Sequence, residues 1–177
     1  VVAGDVDEKW RASIDKFLAK SAYDWKIPDD LHLQIAHLRG RKEEELSGET
    51  FQQKNLKEGK GALLDIEYLT QYLQLNFEQK FPKLRTTETL KALEVIRNET
   101  LIPSNEASFL QETYCWIRQI ETALRLLFDQ SVNTLNLNRV QTVHLESLLR
   151  CQGQFDNLPS TLGKTSEKVR LIYEQVM

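Results

Sequence analysis

Lys57-Glu58-Gly59-Lys60-Gly61-Ala62-Leu63-Leu64-Asp65-Ile66-Glu67-Tyr68-Leu69-Thr70-Gln71-Tyr72-Leu73 is the stretch on which the reading of this chain turns. A lysine-bearing turn with two glycines runs straight into an apolar, helical pattern. Glycines at positions 59 and 61 permit backbone angles that other residues resist, and they let another chain or a phosphate come close. Asp65 and Glu67 follow in a first helical turn, where the helix dipole favours carboxylates. From Leu63 onward, Leu64, Tyr68, Leu69, Tyr72, Leu73, Leu75 and Phe77 make a broad apolar stripe to about Gln79, ended by Phe81-Pro82. So wide a stripe predicts a helix that touches several neighbours.

On the N-terminal side, Trp10, Ile14, Phe17 and Leu18 lie on one face of a helix running from Asp7 to about Ala22. Pro28, Asp29 and Asp30 suit the start of a second helix to about Leu46, with Leu31, Ile35 and Leu38 inward and Gly48 as its stop. Residues from Thr50 to Lys57 are short and mixed and read as an extended segment. On the C-terminal side, Thr86 or Thr87 is placed to cap a helix carrying Leu90, Leu93, Val95 and Ile96. Ser104 opens the longest helix, with Leu110, Trp116, Ile117, Ile120 and Leu124 at helical spacing to about Asp129. Residues from Ser131 to Asn138 read as a polar loop. Val140, Val143, Leu145, Leu148 and Leu149 mark a sixth helix closed by Gly153, and Pro159-Ser160 introduce the last, with Val169, Ile172, Tyr173 and Val176 inward. The fold class is therefore all-α: an antiparallel bundle of about seven helices with at most a short extended segment near residues 50–60.

Composition supports this. Only 7 glycines and 4 prolines occur in 177 residues, and all four prolines fall at helix borders, where they do not break a hydrogen-bonded run. A hydrophobic share of 41% against 28% charged residues is that of a packed soluble domain rather than a disordered chain. The net charge of −3 gives no electrostatic footprint for nucleic acid. No apolar run reaches the ~20 residues that span a bilayer, so no membrane partner is expected. Val1-Val2-Ala3-Gly4-Asp5 lacks an initiator Met and a basic leader, and reads as a cut inside a longer protein. Cys115 and Cys151 form no metal or redox motif and read as reduced, mostly buried thiols of a cytoplasmic protein.

Most other motifs have structural readings. Gly163-Lys164-Thr165 ends like a phosphate-binding loop, but the glycine required five positions earlier is Leu158 and no strand precedes it. His32 and His37 are five apart, off a shared helix face, and His144 is isolated; zinc pairs on helices prefer a spacing of four. Arg118, Glu121 and Arg125 read as the ion-paired flank of a core stripe, with an interdomain contact as the functional reading. Asp65 and Glu67 differ. Two residues apart on a helix, they point about 200° away from each other and cannot share one metal. On an extended segment they would share a face. Either one is placed to orient Lys57, Lys60 or the turn itself.

These residues carry a family resemblance. Lys57-Glu58-Gly59-x-Gly61-x-Leu63-x-Asp65-Ile66-Glu67-Tyr68-x-x-Gln71-Tyr72-Leu73-x-Leu75 resembles the K-x-G-x-G-G-[LI]-x-[DE]-[IV]-E-[FY]-x-x-Q-x-x-x-L signature of the glutamine synthetase adenylyltransferases. Val1 to Asp5 resembles the R-x-V-A-G-D segment that closes their nucleotidyltransferase core. Pro82-Lys83-Leu84-Arg85, the helix from Ala107 to Glu121 and Val169-Arg170-x-x-Tyr173 resemble later segments, so the likeness spans nearly the whole chain. Two departures stand out: Ala62 replaces the second glycine of the pair, and Asn55 stands where many relatives carry Asp.

The resemblance implies one helical domain over 1–177 within a larger enzyme. Residues 1–60 would border the nucleotidyltransferase core, and 61–177 would form the bundle. It implies a parent that transfers AMP from ATP to a tyrosine of glutamine synthetase, or removes it, using Mg²⁺. Its partners would be glutamine synthetase, a PII-type signal protein and its own nucleotidyltransferase core. The G-S…D-x-D arrangement that binds the metals in that core does not occur here, so no metal site is expected in the chain itself, and the chain alone is expected to be inactive. Asp65 and Glu67 become candidates for the catalytic edge, and Lys57, Gly59, Lys60 and Gly61 for phosphate approach. Two other readings stay open: a non-catalytic helical interaction module, and the equivalent domain of a PII uridylyltransferase.

Overall fold

The computed structural model describes residues 7–23, 26–128, 133–137, 139–150 and 157–177. The segment 1–5, Cys151 and Gly153, each read from sequence above, lie outside these residues. Among the described residues are seven α-helices and one two-stranded sheet, in the order α1 (Glu8–Tyr23), α2 (Leu31–Leu46), β1 (Gln53–Asn55), α3 (Leu63–Phe77), α4 (Thr89–Asn98), α5 (Ser104–Phe128), β2 (Thr134–Asn136), α6 (Arg139–Arg150) and α7 (Leu158–Val176). The all-α reading holds, and the extended segment near residues 50–60 is β1.

The partner of β1 was not visible in the sequence. β2 pairs with it antiparallel, Lys54 opposite Leu135, inside the stretch that reads as a polar loop. Leu56 N–H to Asn133 O and Leu137 N–H to Gln52 O, both 2.8 Å, extend the ladder. One apolar residue in three, Leu135, gives no alternation to detect, yet it is fully buried beneath the turn that follows β1.

Two apolar clusters form the core. One gathers Leu56 and Leu63 beside the turn, Leu135, the C-terminal half of α5, and residues of α6 and early α7. The other joins Ile66, Leu69 and Leu73 of α3 with Leu93, Ile96 and Leu110 from α4 and α5, and with Val169, Ile172 and Tyr173 of α7. Helices α3, α5 and α7 contribute to both, as the broad stripe of α3 requires.

Local chemistry sets the helix ends. Gly48, at φ +52°, stops α2 just beyond Ser47. α4 starts at Thr89, one or two residues later than a cap at Thr87 or Thr86 would give, because Thr86 Oγ1 accepts from Glu88 N–H in a local turn instead of capping a helix. Asn157 caps α7 through Ser160 N–H at 3.0 Å, and Gly163 lies within that helix, so Gly163-Lys164-Thr165 is helical and not a phosphate loop. Cys115 is exposed, contrary to the sequence expectation, because the inward face of α5 at that level belongs to Trp116 and Ile117.

Leu110 is fully buried between α4 and α5, whereas Leu126 is 76% exposed. Leu110→Ala is expected to lower stability by about 2–5 kcal/mol in urea denaturation, and Leu126→Ala to change it by less than about 0.5 kcal/mol. A larger loss at Leu126 would contradict this core assignment.

Candidate functional site

The lysine–glycine turn is held from two sides. The Asn55 side chain comes first. Asn55 Oδ1 accepts from Lys57 N–H (3.0 Å) and Glu58 N–H (2.9 Å), and Asn55 Nδ2 donates to Leu46 O (3.3 Å) and Ser47 O (3.1 Å). This one amide therefore closes the end of α2 and opens the turn. An aspartate here would lose both donors and set a charge against two carbonyls. The side-chain chemistry of the position thus favours Asn.

The start of α3 has no side-chain cap at Ala62. Its first free N–H groups return instead to the strand side: Leu63 N–H to Leu56 O and Leu64 N–H to Lys57 O, both 3.1 Å. Ala62 itself is extended, at φ −96° and ψ −167°, so a Cβ is tolerated where the family signature carries a second glycine. Gly61 tolerates none. Its φ is +68°, and a Cβ there would stand 1.9 Å from the Ser166 carbonyl oxygen of α7. The close approach that this glycine permits is taken up by the chain's own last helix.

Asp65 fixes the second side. It is fully buried, and its Oδ2 accepts from Gly61 N–H at 2.8 Å. Arg39 of α2 donates through Nε to Asp65 Oδ1 at 2.5 Å and through Nη2 to Gly59 O at 2.7 Å. Arg170 of α7 lies 3.3 Å from Asp65 Oδ2 and 3.0 Å from Glu43 Oε2. Glu43 also stands 3.4 Å from Arg39 Nη1. Two arginines and two carboxylates thus neutralise one another where three helices meet, which is how a buried charge is tolerated. Burial works against the Arg170 charge, but Glu174, Asp65 and Glu43 together raise its pKa above the ordinary value. Tyr173, next to this cluster, is pushed up to about 12, by burial first and by Asp65 second.

Glu67 faces the other way, as two residues along a helix requires. Its Oε1 accepts from Arg118 Nη2 at 3.0 Å and from Tyr114 OH at 3.2 Å. Arg118 Nη1 continues to Glu121 Oε2 at 2.9 Å. Arg118 and Glu121 therefore do form the ion-paired flank of a core stripe, while Arg125 is exposed. A third node lies at the far end of α3. There the buried Glu78 accepts from Arg85 Nε, and Gln74 Nε2 donates to Leu84 O (2.6 Å) and Thr86 O (2.8 Å).

The candidate residues are thus distributed unevenly. Gly59, Gly61 and Asp65 are buried together, Glu67 is tied to α5, and Lys60 is exposed with Lys57 half-exposed beside it. Among the described residues no three His, Cys, Asp or Glu side chains converge to hold a metal. Asp65 and Glu67 point apart and are each bound to arginine, so together they do not fit a Mg²⁺ ion.

Residues 29–177 match the family model described as GlnD PII-uridylyltransferase. The chain belongs to that family. Curated proteins similar to it include the bifunctional glutamine synthetase adenylyltransferase/adenylyl-removing enzymes of Bradyrhizobium sp. (strain ORS 278) and Rhodopseudomonas palustris (strain HaA2). The first is 29% identical over 140 residues, 76% of this chain and 14% of the relative. The second is 29% identical over 138 residues, 75% and 14%. The chain therefore spans about 14% of the length of these relatives. The matched range takes in Arg39, the whole turn and Arg170, so every residue of the buried cluster lies within the family region.

Sequence reasoning missed Arg39. Leu38 was expected inward, but it is 51% exposed, and Arg39 is fully buried in line with Leu31 and Ile35. Helical spacing allows either residue to face in; the buried Asp65 carboxylate requires the arginine. A signal was available in the unpaired acid of the adjacent helix start, which needs a cation from elsewhere in the chain.

Arg39→Met removes the main partner of a buried carboxylate and is expected to cost about 3–5 kcal/mol in denaturant unfolding. Tyr173→Phe behaves differently. Among the described residues its buried hydroxyl has no hydrogen-bond partner, so the change at pH 7 should stay within about 1 kcal/mol. The sign of the pH effect follows from a folded pKa above the ordinary tyrosine value of 10.0. The contribution of Tyr173 is complete below pH 10 and is lost as pH rises through 12. Alkaline unfolding curves of Tyr173→Phe should therefore be flatter over that interval than those of the unaltered chain.

Proposed function

We propose that this chain is the helical portion of a nucleotidyltransferase whose full-length form transfers AMP from ATP to a tyrosine of glutamine synthetase, or removes it. The observation that carries the reading is the Lys57–Leu75 signature. Its buried Asp65 and glycines are spent on rigidity, and its lysines are left at the surface. In this reading the metal-binding carboxylates, Mg²⁺ and the ATP site belong to a separate core. The helical domain packs against that core and presents Lys57 and Lys60 along the edge of the nucleotide site. Asp65 and Glu67 act there as positioning residues: Asp65 holds the turn through Gly61 and Arg39, and Glu67 holds α3 against α5. A rigid edge lowers the cost of aligning a bound phosphate. The parent works in the cytoplasm, under the control of a PII-type signal protein.

A second reading, the equivalent domain of a PII uridylyltransferase, is favoured by the description of the matching family model. The two differ in nucleotide and acceptor. The full-length protein carrying this chain should label glutamine synthetase from radioactive ATP with Mg²⁺, and should not label a PII protein from UTP. Lys57→Ala/Lys60→Ala in that protein should slow AMP transfer by about tenfold or more with an unchanged circular dichroism spectrum. The isolated chain should give no turnover. Labelling of PII alone would replace the first reading with the second, and an unaltered rate in the double variant would remove the lysines from the site.

A further inference from the structure

We infer that Glu49 is a tethered stand-in for a phosphate group, closing an anion cradle on the lysine–glycine turn and swinging away about Gly48 when a phosphate-bearing ligand arrives. Glu49 comes from the connector after α2, yet its carboxylate is seated on the turn. Oε1 accepts from Asn55 N–H at 3.1 Å, Oε2 from Lys60 N–H at 3.4 Å, and the Lys54 ammonium stands 3.6 Å from Oε1. The floor of the cradle is the bare Cα of Gly59. A Cβ there would lie 2.4 Å from the Asn55 carbonyl oxygen, 2.6 Å from Glu49 Oε1 and 2.8 Å from its Cδ. This glycine, unlike Gly61, serves its own turn: the missing Cβ leaves space both for the Asn55 carbonyl and for the carboxylate.

Two backbone donors, an ammonium and an unobstructed Cα are the parts from which phosphate cradles are built. The carboxylate fills the cradle imperfectly. It offers two oxygens, one of them at the long end of hydrogen-bond range. A tetrahedral phosphate offers three and carries more charge. Lys57 and Lys60 stand on the same turn, and Lys57 meanwhile turns to Glu58 at 3.6 Å. Release is built into the connector. Glu49 directly follows Gly48, which holds φ +52° and around which a Cβ would meet nothing within 4 Å. The cradle rests on the nucleotide-edge reading above only for the identity of its natural ligand; the anion chemistry stands on the turn itself.

The test is a titration of the unaltered chain and of Glu49→Gln, followed by amide NMR, with three probes: inorganic phosphate, ATP and adenosine. Because a site that is closed most of the time binds with an affinity reduced by its open fraction, Glu49→Gln should bind phosphate about tenfold more tightly than the unaltered chain. The Asn55 and Lys60 amides should shift, ATP should shift the same amides, and adenosine should not. Adding Lys54→Met to Glu49→Gln should weaken phosphate again. Equal phosphate binding by both chains, no binding by a folded Glu49→Gln, or binding of adenosine as strong as that of ATP would each overturn the inference. None of these outcomes depends on glutamine synthetase or on AMP transfer, so failure here and failure of the nucleotidyltransferase reading are separately visible.

Discussion

The carboxylate of Asp65 is the point on which the architecture around the turn depends. It has no exposure to water, and every hydrogen-bonding direction it uses leads to a different element: Arg39 in α2, Gly61 in the turn and Arg170 in α7. A charge so placed would be prohibitive alone, and its partners would be equally costly without it. The cluster therefore acts as a geometric constraint more than as a source of affinity. It admits one arrangement of α2, α3 and α7, the one in which Gly61 lies against Ser166.

The same constraint changes the meaning of a glycine-rich, lysine-bearing turn. Such turns expose rows of N–H groups and invite anions. Here the two N–H groups of Lys60 and Gly61 already have carboxylates, from Glu49 and Asp65. The two occupants differ in kind. Asp65 sits inside a neutralised, buried cluster that unfolding alone would open. Glu49 is 19% exposed in its side chain, hangs from a glycine and, among the described residues, is balanced by Lys54. The proposed anion cradle on the turn is thus separate from the buried cluster that holds the turn in place.

Much of this was legible in the sequence. Helix number and most borders followed from apolar spacing, proline placement and the glycine stop at 48, because these are local effects. The opposed directions of Asp65 and Glu67 followed from helix geometry alone. Three features were not legible, each for a non-local reason. β2 is defined by its pairing with β1, not by its own three residues. Arg39 is buried because an acid in another helix needs it. Gly59 and Gly61 look equivalent in the sequence, but one faces the Asn55 carbonyl and the Glu49 carboxylate, and the other the backbone of residue 166.

The span between Arg170 and its partners also bears on how the chain acquires its shape. Asp65 and Arg170 are 105 residues apart, and Glu43 and Arg170 are 127 apart. Contacts of such separation must close large loops before they contribute anything, and they form late for that reason. Arg39 and Asp65 are only 26 residues apart and close a short loop, but the brace on the glycine turn is completed only once α7 and its Arg170 have been made. Until then the turn lacks its final clamp, and a chain interrupted before Arg170 would carry the signature residues without the geometry that gives them meaning.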